Sequence, residues 1–326
     1  MRVVFMGTPD FATGTLEEIV RSGYEIVGVV TQPDKPKGRG KNLMPTPVKE
    51  VALKYDLPVY QPKRAKEPEF IETLRGLKPD VIVVAAFGQI ITKEILEMPR
   101  FGCVNVHASL LPAYRGAAPI QWAVINGDKE SGVTIMQMDE GIDTGDMMDK
   151  VVVPIAEDET GGSLFDKLSE AGAKLCVKVL KDLEEGKAVR VKQPKESTTA
   201  YASMISKGMG EIKWDCKAKE IEQLIRGLNP WPSAYTKVHG KMLKLWKAEV
   251  LEDTAHRQTG VMFITMPKVF ASMSFGEIVK IEKDGICVQT GEGLLKIREL
   301  QLEGKKRMDA AAFLRGYSVS EGEILG

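Results

Sequence analysis

The chain is poor in cysteine and histidine. Its four cysteines, Cys103, Cys176, Cys216 and Cys287, form no C-x-x-C pair, and its three histidines, His107, His239 and His256, are equally scattered. The ligand clustering that zinc needs is therefore missing, and the cysteine usage points to a reducing compartment. Charge of one sign is missing too, since Lys plus Arg and Asp plus Glu number 45 each. No global field advertises a polyanionic partner, so any nucleic-acid contact must come from a local basic face. No apolar run is long enough to span a membrane, and Met1 leads straight into Val3-Val4-Phe5-Met6 without a signal or transit pattern. These absences leave a cytoplasmic enzyme with no membrane partner, and nothing in them demands more than a monomer.

Several nucleotide and hydrolase fingerprints are absent as well. Gly7-Thr8-Pro9-Asp10-Phe11 lies between the first apolar strand and a helix, where a dinucleotide-binding protein carries G-x-G-x-x-G, yet it has a single glycine. A pyrophosphate needs the other glycines for close backbone approach, so dinucleotide binding loses its support. A strand-to-helix turn capped by Asp10 and a substrate contact both fit that segment. No Walker A pattern occurs, so nucleotide hydrolysis is not indicated. Ser109 sits near His107 but lacks G-x-S-x-G, which weakens a serine-hydrolase reading. The acidic run Asp139 to Asp146 lacks the ligand order of a calcium loop, which leaves a structural turn or a histidine partner.

At 326 residues the chain is long enough for two domains, each with its own core. In the first half, strand-like runs at Arg2 to Met6, Ile26 to Val30, Asp80 to Ala86 and Cys103 to Val106 alternate with helical patterns at Phe11 to Ser22, Pro47 to Tyr55, Pro68 to Leu77 and Ala117 to Asn126. That alternation predicts a doubly wound, Rossmann-like α/β domain with a mostly parallel sheet covered on both faces. Gly132 to Met138 and Met147 to Val153 add strands, and Gly162 to Glu184 reads as a long amphipathic helix. Periodicity is then lost around Gly186, Pro194 and Ser197-Thr198-Thr199, as in a linker. Beyond it a helix at Ala218 to Arg226 precedes short strands at Ala234 to Val238, Met242 to Val250, Phe275 to Glu282, Ile286 to Thr290 and Leu294 to Leu300, with a closing helix at Met308 to Arg315. Short strands broken by glycine turns suggest an OB-like β-barrel. The expected division is a catalytic domain over 1–188, a linker over 189–206 and an OB-like domain over 207–326.

What the chain does contain is a pair of polar groups on one strand. Side chains in a strand repeat every two residues, so Asn105 and His107 face the same side and can address one carbonyl. They follow an apolar run and so lie near a strand's carboxyl end, where open α/β sheets bind ligands. Asp143 offers the carboxylate that could hold such a histidine. A second feature is the Pro/Gly-rich stretch Gln32 to Lys49, which carries Lys35, Lys37, Arg39, Lys41 and Lys49 against Asp34 alone. A loop of that length inside an α/β unit is functional or disordered, and its cations suit a phosphate backbone.

Taken together these residues resemble the folate-dependent formyltransferases. Asn105-Val106-His107-Ala108-Ser109-Leu110-Leu111-Pro112 is similar to the family signature N-[IV]-H-x-S-L-L-P, and Asp143 stands in the place of the family's later aspartate. Gly7 to Ala12, Gly38-Arg39-Gly40-Lys41, Arg115 to Ile120, Thr134 to Asp139 and Asn229-Pro230-Trp231-Pro232 resemble the branch that acts on tRNA, so the likeness runs over nearly the whole chain. Gly260 to Phe275 is longer and richer in methionine than the family pattern.

The resemblance implies formyl transfer from N10-formyltetrahydrofolate, as donor substrate and without a metal, to the α-amino group of initiator methionyl-tRNA. It implies catalytic roles for Asn105, His107 and Asp143. Ser109, Leu110, Leu111 and Pro112 match the folate-binding segment, and Phe87, Gly88, Gln89, Ile90 and Ile91 match the loop lining the pterin pocket. Arg39 and Lys41 belong to the loop that enters the acceptor arm, with Pro9, Phe11 and Gly38 near the methionyl side chain. A sugar-nucleotide amine or glycinamide ribonucleotide is the alternative acceptor for the same three catalytic residues. An RNA-binding module with a degenerate catalytic domain is the alternative outside enzymology. From Gly208 to Gly326 there are 18 Lys/Arg against 16 Asp/Glu, so RNA contacts in the second half must come from one local face.

Overall fold

The structure is a computed structural model that describes residues 1–37, 42–251 and 274–326. It divides into two compact units, one of Met1–Ile120, Lys129–Ile155 and Ser163–Ser203, the other of Gln121–Asp128, Ala156–Gly162 and Met204–Gly326. Most of Gly260 to Phe275, with the preceding 252–259, lies outside the described residues.

The first unit is built on β1 (Arg2–Gly7), α1 (Asp10–Arg21), β2 (Glu25–Val30), the short pair β3 (Lys35–Lys37) and β4 (Asn42–Met44), α2 (Pro47–Lys54), β5 (Val59–Tyr60), α3 (Pro68–Leu77), β6 (Val81–Ala85), α4 (Lys93–Leu96) and β7 (Cys103–His107). After α5 (Pro119–Ile125), which falls mainly in the second unit, it continues with β8 (Glu130–Gln137), β9 (Met147–Pro154) and most of α6 (Gly161–Glu184). The seven-stranded sheet runs β5-β2-β1-β6-β7-β8-β9. Strands β1, β2, β5, β6 and β7 are mutually parallel, whereas β8 is antiparallel to β7 and β9 to β8. The expectation of a mostly parallel, doubly wound sheet therefore holds, with one reversed strand, β8, next to the edge strand β9. The segment joining β8 to β9 is too short for the dozen or so residues of a parallel crossover, so the chain turns back on itself.

Burial follows composition. All five residues of β6 are buried, as befits a central strand covered on both faces. On α1 the buried residues Phe11, Ala12, Thr15, Leu16 and Ile19 form one stripe. Beneath α3, Phe70, Ile71 and Leu74 pack with Val4, Met6, Ile82 and Val84 of the sheet. Burial pushes the thiols of Cys103 and Cys176 up to about 12, which keeps them protonated and unreactive.

The second unit carries α7 (Ala218–Gly227), β10 (Ala234–Val238), β11 (Lys241–Leu251), β12 (Ile278–Glu282), β13 (Gly285–Gln289), β14 (Leu294–Leu302), β15 (Met308–Asp309) and α8 (Ala310–Gly316). Its antiparallel sheet runs β10-β11-β14-β13-β12, with β15 beside β14. This is an OB-like antiparallel arrangement whose strand path, among the described residues, does not close into a barrel. The core gathers Trp214, Ile221, Ile225, Leu243, Leu245, Val288, Leu295, Ile297 and Phe313, and the Trp214 indole donates to Thr236 at 3.1 Å.

Three local expectations change. Met308 and Asp309 form β15, because Met308 and Asp309 pair with Leu300 and Glu299; the helix begins at Ala310, where the Asp309 carboxylate accepts from the Ala312 amide. Gln32 to Lys49 is no structureless loop: it contains the β3–β4 pair and the first turn of α2, with Thr46 as its cap. Asp10 does not cap α1, since Pro9 occupies the cap position and Asp10 lies in the first turn, where its charge opposes the helix dipole favourably.

Ile82 is fully buried in β6 between the two helical layers. Ile82→Ala should lower the unfolding free energy of the protein by about 2–5 kcal/mol, measured by equilibrium denaturation.

Candidate active site

The carboxyl ends of β1, β6 and β7 meet at the point where strand order reverses, between β1 and β6, which is where open α/β sheets hold their ligands. Asn105 and His107 are the third and last residues of β7. Asn105 pairs across to Val84 on one side and Met136 on the other, and His107 lies opposite Thr134. His107 is buried at 5% exposure, while Asn105 is half-buried. The Asn105 amide has no side-chain hydrogen bond among the described residues.

Both imidazole nitrogens of His107 face protein oxygens. Nε2 lies 3.0 Å from the Tyr114 carbonyl, and a carbonyl only accepts, so Nε2 carries a proton. Nδ1 lies 3.6 Å from Asp143 Oδ1, a separation that closes to a hydrogen bond only when Nδ1 is protonated as well. The ring is thus held at Nε2 by a carbonyl, with a carboxylate 3.6 Å from Nδ1. The other oxygen of Asp143 accepts from the Gly116 amide at 2.9 Å.

The turn after β7 is knit by buried polar groups. Thr134 Oγ1 donates to the Ser109 carbonyl at 2.7 Å and accepts from the Leu111 amide at 3.1 Å. Ser109 Oγ donates to the Ala113 carbonyl at 2.6 Å, so this hydroxyl is committed to the turn. Tyr114, at φ 53, is a left-handed non-glycine residue that needs outside support. Thr199 supplies it by accepting from the Tyr114 amide at 2.7 Å, and Ser197 donates to the Pro112 carbonyl at the same distance. Arg115, 8% exposed, donates to Gln193, Pro194 and Lys195.

Of these supporting residues, Ser109, Leu111 and Pro112 belong to the expected site, whereas Thr134, Tyr114, Arg115, Gln193, Ser197 and Thr199 do not. Thr134 was within reach of strand periodicity, because it is the cross-strand neighbour of His107. Gln193, Ser197 and Thr199 come from the stretch that looked like a linker, and no local spacing signals them. In the acidic run, Asp139 accepts from the Gly141 amide and the Thr144 hydroxyl, which makes it a turn-former.

Around the next strand end, Phe87 is buried and Gly88 has φ 75. The Phe87 carbonyl accepts from Thr8 Oγ1 at 3.0 Å and Gln32 Nε2 at 3.1 Å, and Gln89 accepts from the Ala65 amide. Gly88, Gln89 and Ile90 border a cavity of about 700 Å³ whose other walls include Lys63, Arg64 and Lys66. Ile90 stands 88% exposed at its rim, whereas Ile91 is buried. Pro9 is exposed, and Phe11 turns inward to meet Phe165 edge-on at 5.5 Å. Gly38, Arg39 and Lys41 lie outside the described residues. Lys49 is already engaged, by Asp34 at 2.7 Å and Gln61 at 2.8 Å, and Lys35 donates to Gln32 at 2.9 Å. Lys49 and, after it, the Gln61 amide hold the Asp34 carboxyl below its usual range.

A strand-borne amide beside a clamped imidazole, at the carboxyl edge of a doubly wound sheet, defines a class of acyl-group transferase. Two family models match the chain, formyl transferase over residues 1–180 and the formyl transferase C-terminal domain over 204–318. The chain belongs to the formyl transferase family. Within it, the chain is 56% identical over 324 residues, 99% of either chain, to a protein of Agathobacter rectalis named methionyl-tRNA formyltransferase. It is 51% identical over 100% of both chains to the protein of that name in Lachnospira eligens. Among solved structures, HypX from Aquifex aeolicus in complex with tetrahydrofolic acid shares the fold, with a TM-score of 0.61 and 17% identity over 99% of this chain. The present chain spans 50% of that longer protein.

Thr134→Val removes a hydroxyl that is fully buried and leaves the Ser109 carbonyl and Leu111 amide unpaired, at a cost of about 1–3 kcal/mol for each such group. Chemical denaturation should show that loss, and a stability equal to wild type would mean the turn is held by other bonds.

Proposed function

We propose that this chain transfers the formyl group of N10-formyltetrahydrofolate to the α-amino group of methionine esterified to initiator tRNA. The observation that carries this reading is the identity of 56% across 99% of the chain with a relative named for that reaction. In the reaction the amine nitrogen bonds to the formyl carbon, the bond from that carbon to N10 breaks, and one proton passes from the amine to N10. Negative charge gathers on the formyl oxygen in between.

Asn105 donates to that oxygen, because its amide has no protein partner to exchange among the described residues. His107 supplies the second donor when Nε2 exchanges the Tyr114 carbonyl for the formyl oxygen. Asp143 holds Nδ1, keeps the ring in register and relays the proton through water. Ser109, Leu110, Leu111 and Pro112 on one side and Phe87 to Ile91 on the other flank the donor. Gly38, Arg39 and Lys41 meet the acceptor stem, with Pro9 and Phe11 toward the methionyl group. The 207–326 domain adds phosphate contacts from a local face. Lys244 and Arg307 lie over the Trp246 ring at 5.9 and 5.0 Å, and Lys241, Lys305 and Lys306 are exposed at the same end of β11 and β14. The protein works in the cytoplasm as a monomer, which sedimentation tests directly.

An acid-gel assay of charged initiator tRNA, with elongator methionyl-tRNA alongside, tests the assignment. Asn105→Ala and His107→Ala should each lower turnover by roughly 10²–10³, the cost of one lost oxyanion donor; a fully active His107→Ala variant would sink the mechanism. Arg39→Ala should impair formylation of the tRNA far more than slow hydrolysis of the formyl donor. Equal loss of both activities would assign the segment to the fold or the folate site.

A further inference from the structure

We propose that Gln193 is a positioning residue, one that fixes Asp143 in front of His107 by tying the acidic turn to the buried guanidinium of Arg115. The proposal rests on the reading that His107 and Asp143 serve formyl transfer.

Hydrogen-bond valence determines how Gln193 must sit. Arg115 can only donate, and its Nε and Nη2 reach Gln193 Oε1 at 3.1 and 2.9 Å. The carboxamide oxygen therefore faces Arg115, and Nε2 points the other way. There it donates to the carbonyls of Asp143 at 3.0 Å and Gly145 at 2.7 Å. Both amide hydrogens are used, one on each side of the turn. No other residue type of this size accepts from a guanidinium at one end and donates twice at the other.

The turn needs that hold. Asp143 has φ 54, a conformation that costs a non-glycine residue and persists only where its surroundings over-determine it. Two residues on, a Cβ at Gly145 would stand 1.8 Å from the Gln137 carbonyl, so the backbone there has no freedom to relax outward. The frame then closes on itself. Gly116, next to Arg115 in the chain, donates to Asp143 Oδ2 at 2.9 Å, so Arg115, Gln193, Asp143 and Gly116 form a ring of hydrogen bonds and peptide links. Asp143 Oδ1 and His107 Nδ1, 3.6 Å apart, stand just outside that ring. Loosening Gln193 removes the bonds that hold the Asp143 backbone and so frees the carboxylate to change this gap.

The test compares Gln193→Ala and Gln193→Glu, each alone and combined with Asp143→Asn. Gln193→Glu keeps an acceptor for Arg115 and so preserves folding, yet turns an oxygen toward two carbonyls. Both single variants should lower kcat by roughly 10–100-fold, as expected for misplacement of a reacting group by about 1 Å. KM for donor and tRNA should stay unchanged, and the pH profile of kcat should move. In the Asp143→Asn background, replacing Gln193 should cause no further loss, because a residue that acts only through Asp143 has nothing left to position. Multiplicative losses in the double variants, or a wild-type kcat and pH profile in Gln193→Glu, would overturn the proposal. If His107→Ala and Asp143→Asn are themselves fully active, the underlying reading falls first and this one with it. A melting midpoint lowered without any change in kcat assigns Gln193 to stability alone.

Discussion

The site depends on one constraint: a guanidinium taken out of water must place its donors. Arg115 is 8% exposed, and an unpaired buried cation costs several kcal/mol even after relaxation. Its donors go to the side chain of Gln193 and to the carbonyls of Pro194 and Lys195. That requirement draws the 193–199 segment against the turn after β7, and Thr199 and Ser197 then reach Tyr114 and Pro112. Once the segment is in place, Tyr114 can be held left-handed with its carbonyl toward His107. The geometry of the imidazole is thus a consequence of where the guanidinium next to Tyr114 places its hydrogen bonds.

Much of the frame was legible in the amino-acid sequence, because the signals are local. Period-two alternation on β7 put Asn105 and His107 on one face, and strand-helix alternation implied a doubly wound sheet with its ligand edge at the strand ends. Pro68 to Leu77 and Ala234 to Val238 coincide with their observed bounds, since a proline at the first helical position and a glycine turn mark them. The antiparallel return of β9 against β8 is also encoded locally, by a connection too short for a crossover, whereas the 108–129 connection that holds α5 leaves the direction of β8 open. What could not be read is the set of bonds that orient His107. Tyr114 and Thr199 are 85 positions apart, and Gln193 stands 78 from Arg115. Such pairings follow from burial, which no spacing rule reports. The stretch that supplies them has no periodicity because it serves as a row of hydrogen-bonding partners, and neither a helix nor a sheet imposes a repeat on it.

The second unit shows why a neutral composition does not exclude a charged surface. Many of its ions are used internally: Lys296 binds Glu282 and Asp284, and Arg298 binds Asp284 and Glu249. Those two cations pull the Asp284 carboxyl down to about 2, so it stays charged throughout the physiological range. Pairs of this kind cancel in the far field and leave the unpaired cations to set the local potential. Lys241, Lys305 and Lys306 have no ion pair among the described residues. A face made by subtraction gives a short-ranged attraction, screened within about 8 Å at physiological ionic strength. That range orients a polyanion already in contact and adds little to distant steering.

The contrast between Asn105 and its neighbours explains how one strand can combine rigidity with chemistry. His107, Ser109, Thr134, Arg115 and Asp143 all have protein partners, and several share them. Their positions are over-determined, and a substrate can alter them only by competing for a bond. The Asn105 amide has no such partner among the described residues, and it is half-buried in the middle of β7, two residues before the strand ends. A polar group in that condition costs little in the free enzyme because water serves it, and in the proposed mechanism it meets the developing oxyanion without first breaking a protein bond. Electrostatic catalysis gains most from dipoles that need no reorganisation at the moment of reaction. A donor fixed by the sheet backbone, one residue from a strand neighbour and two from a clamped imidazole, satisfies that condition through secondary structure alone. The rest of the frame is then needed for the imidazole, whose proton and orientation the sheet by itself does not define.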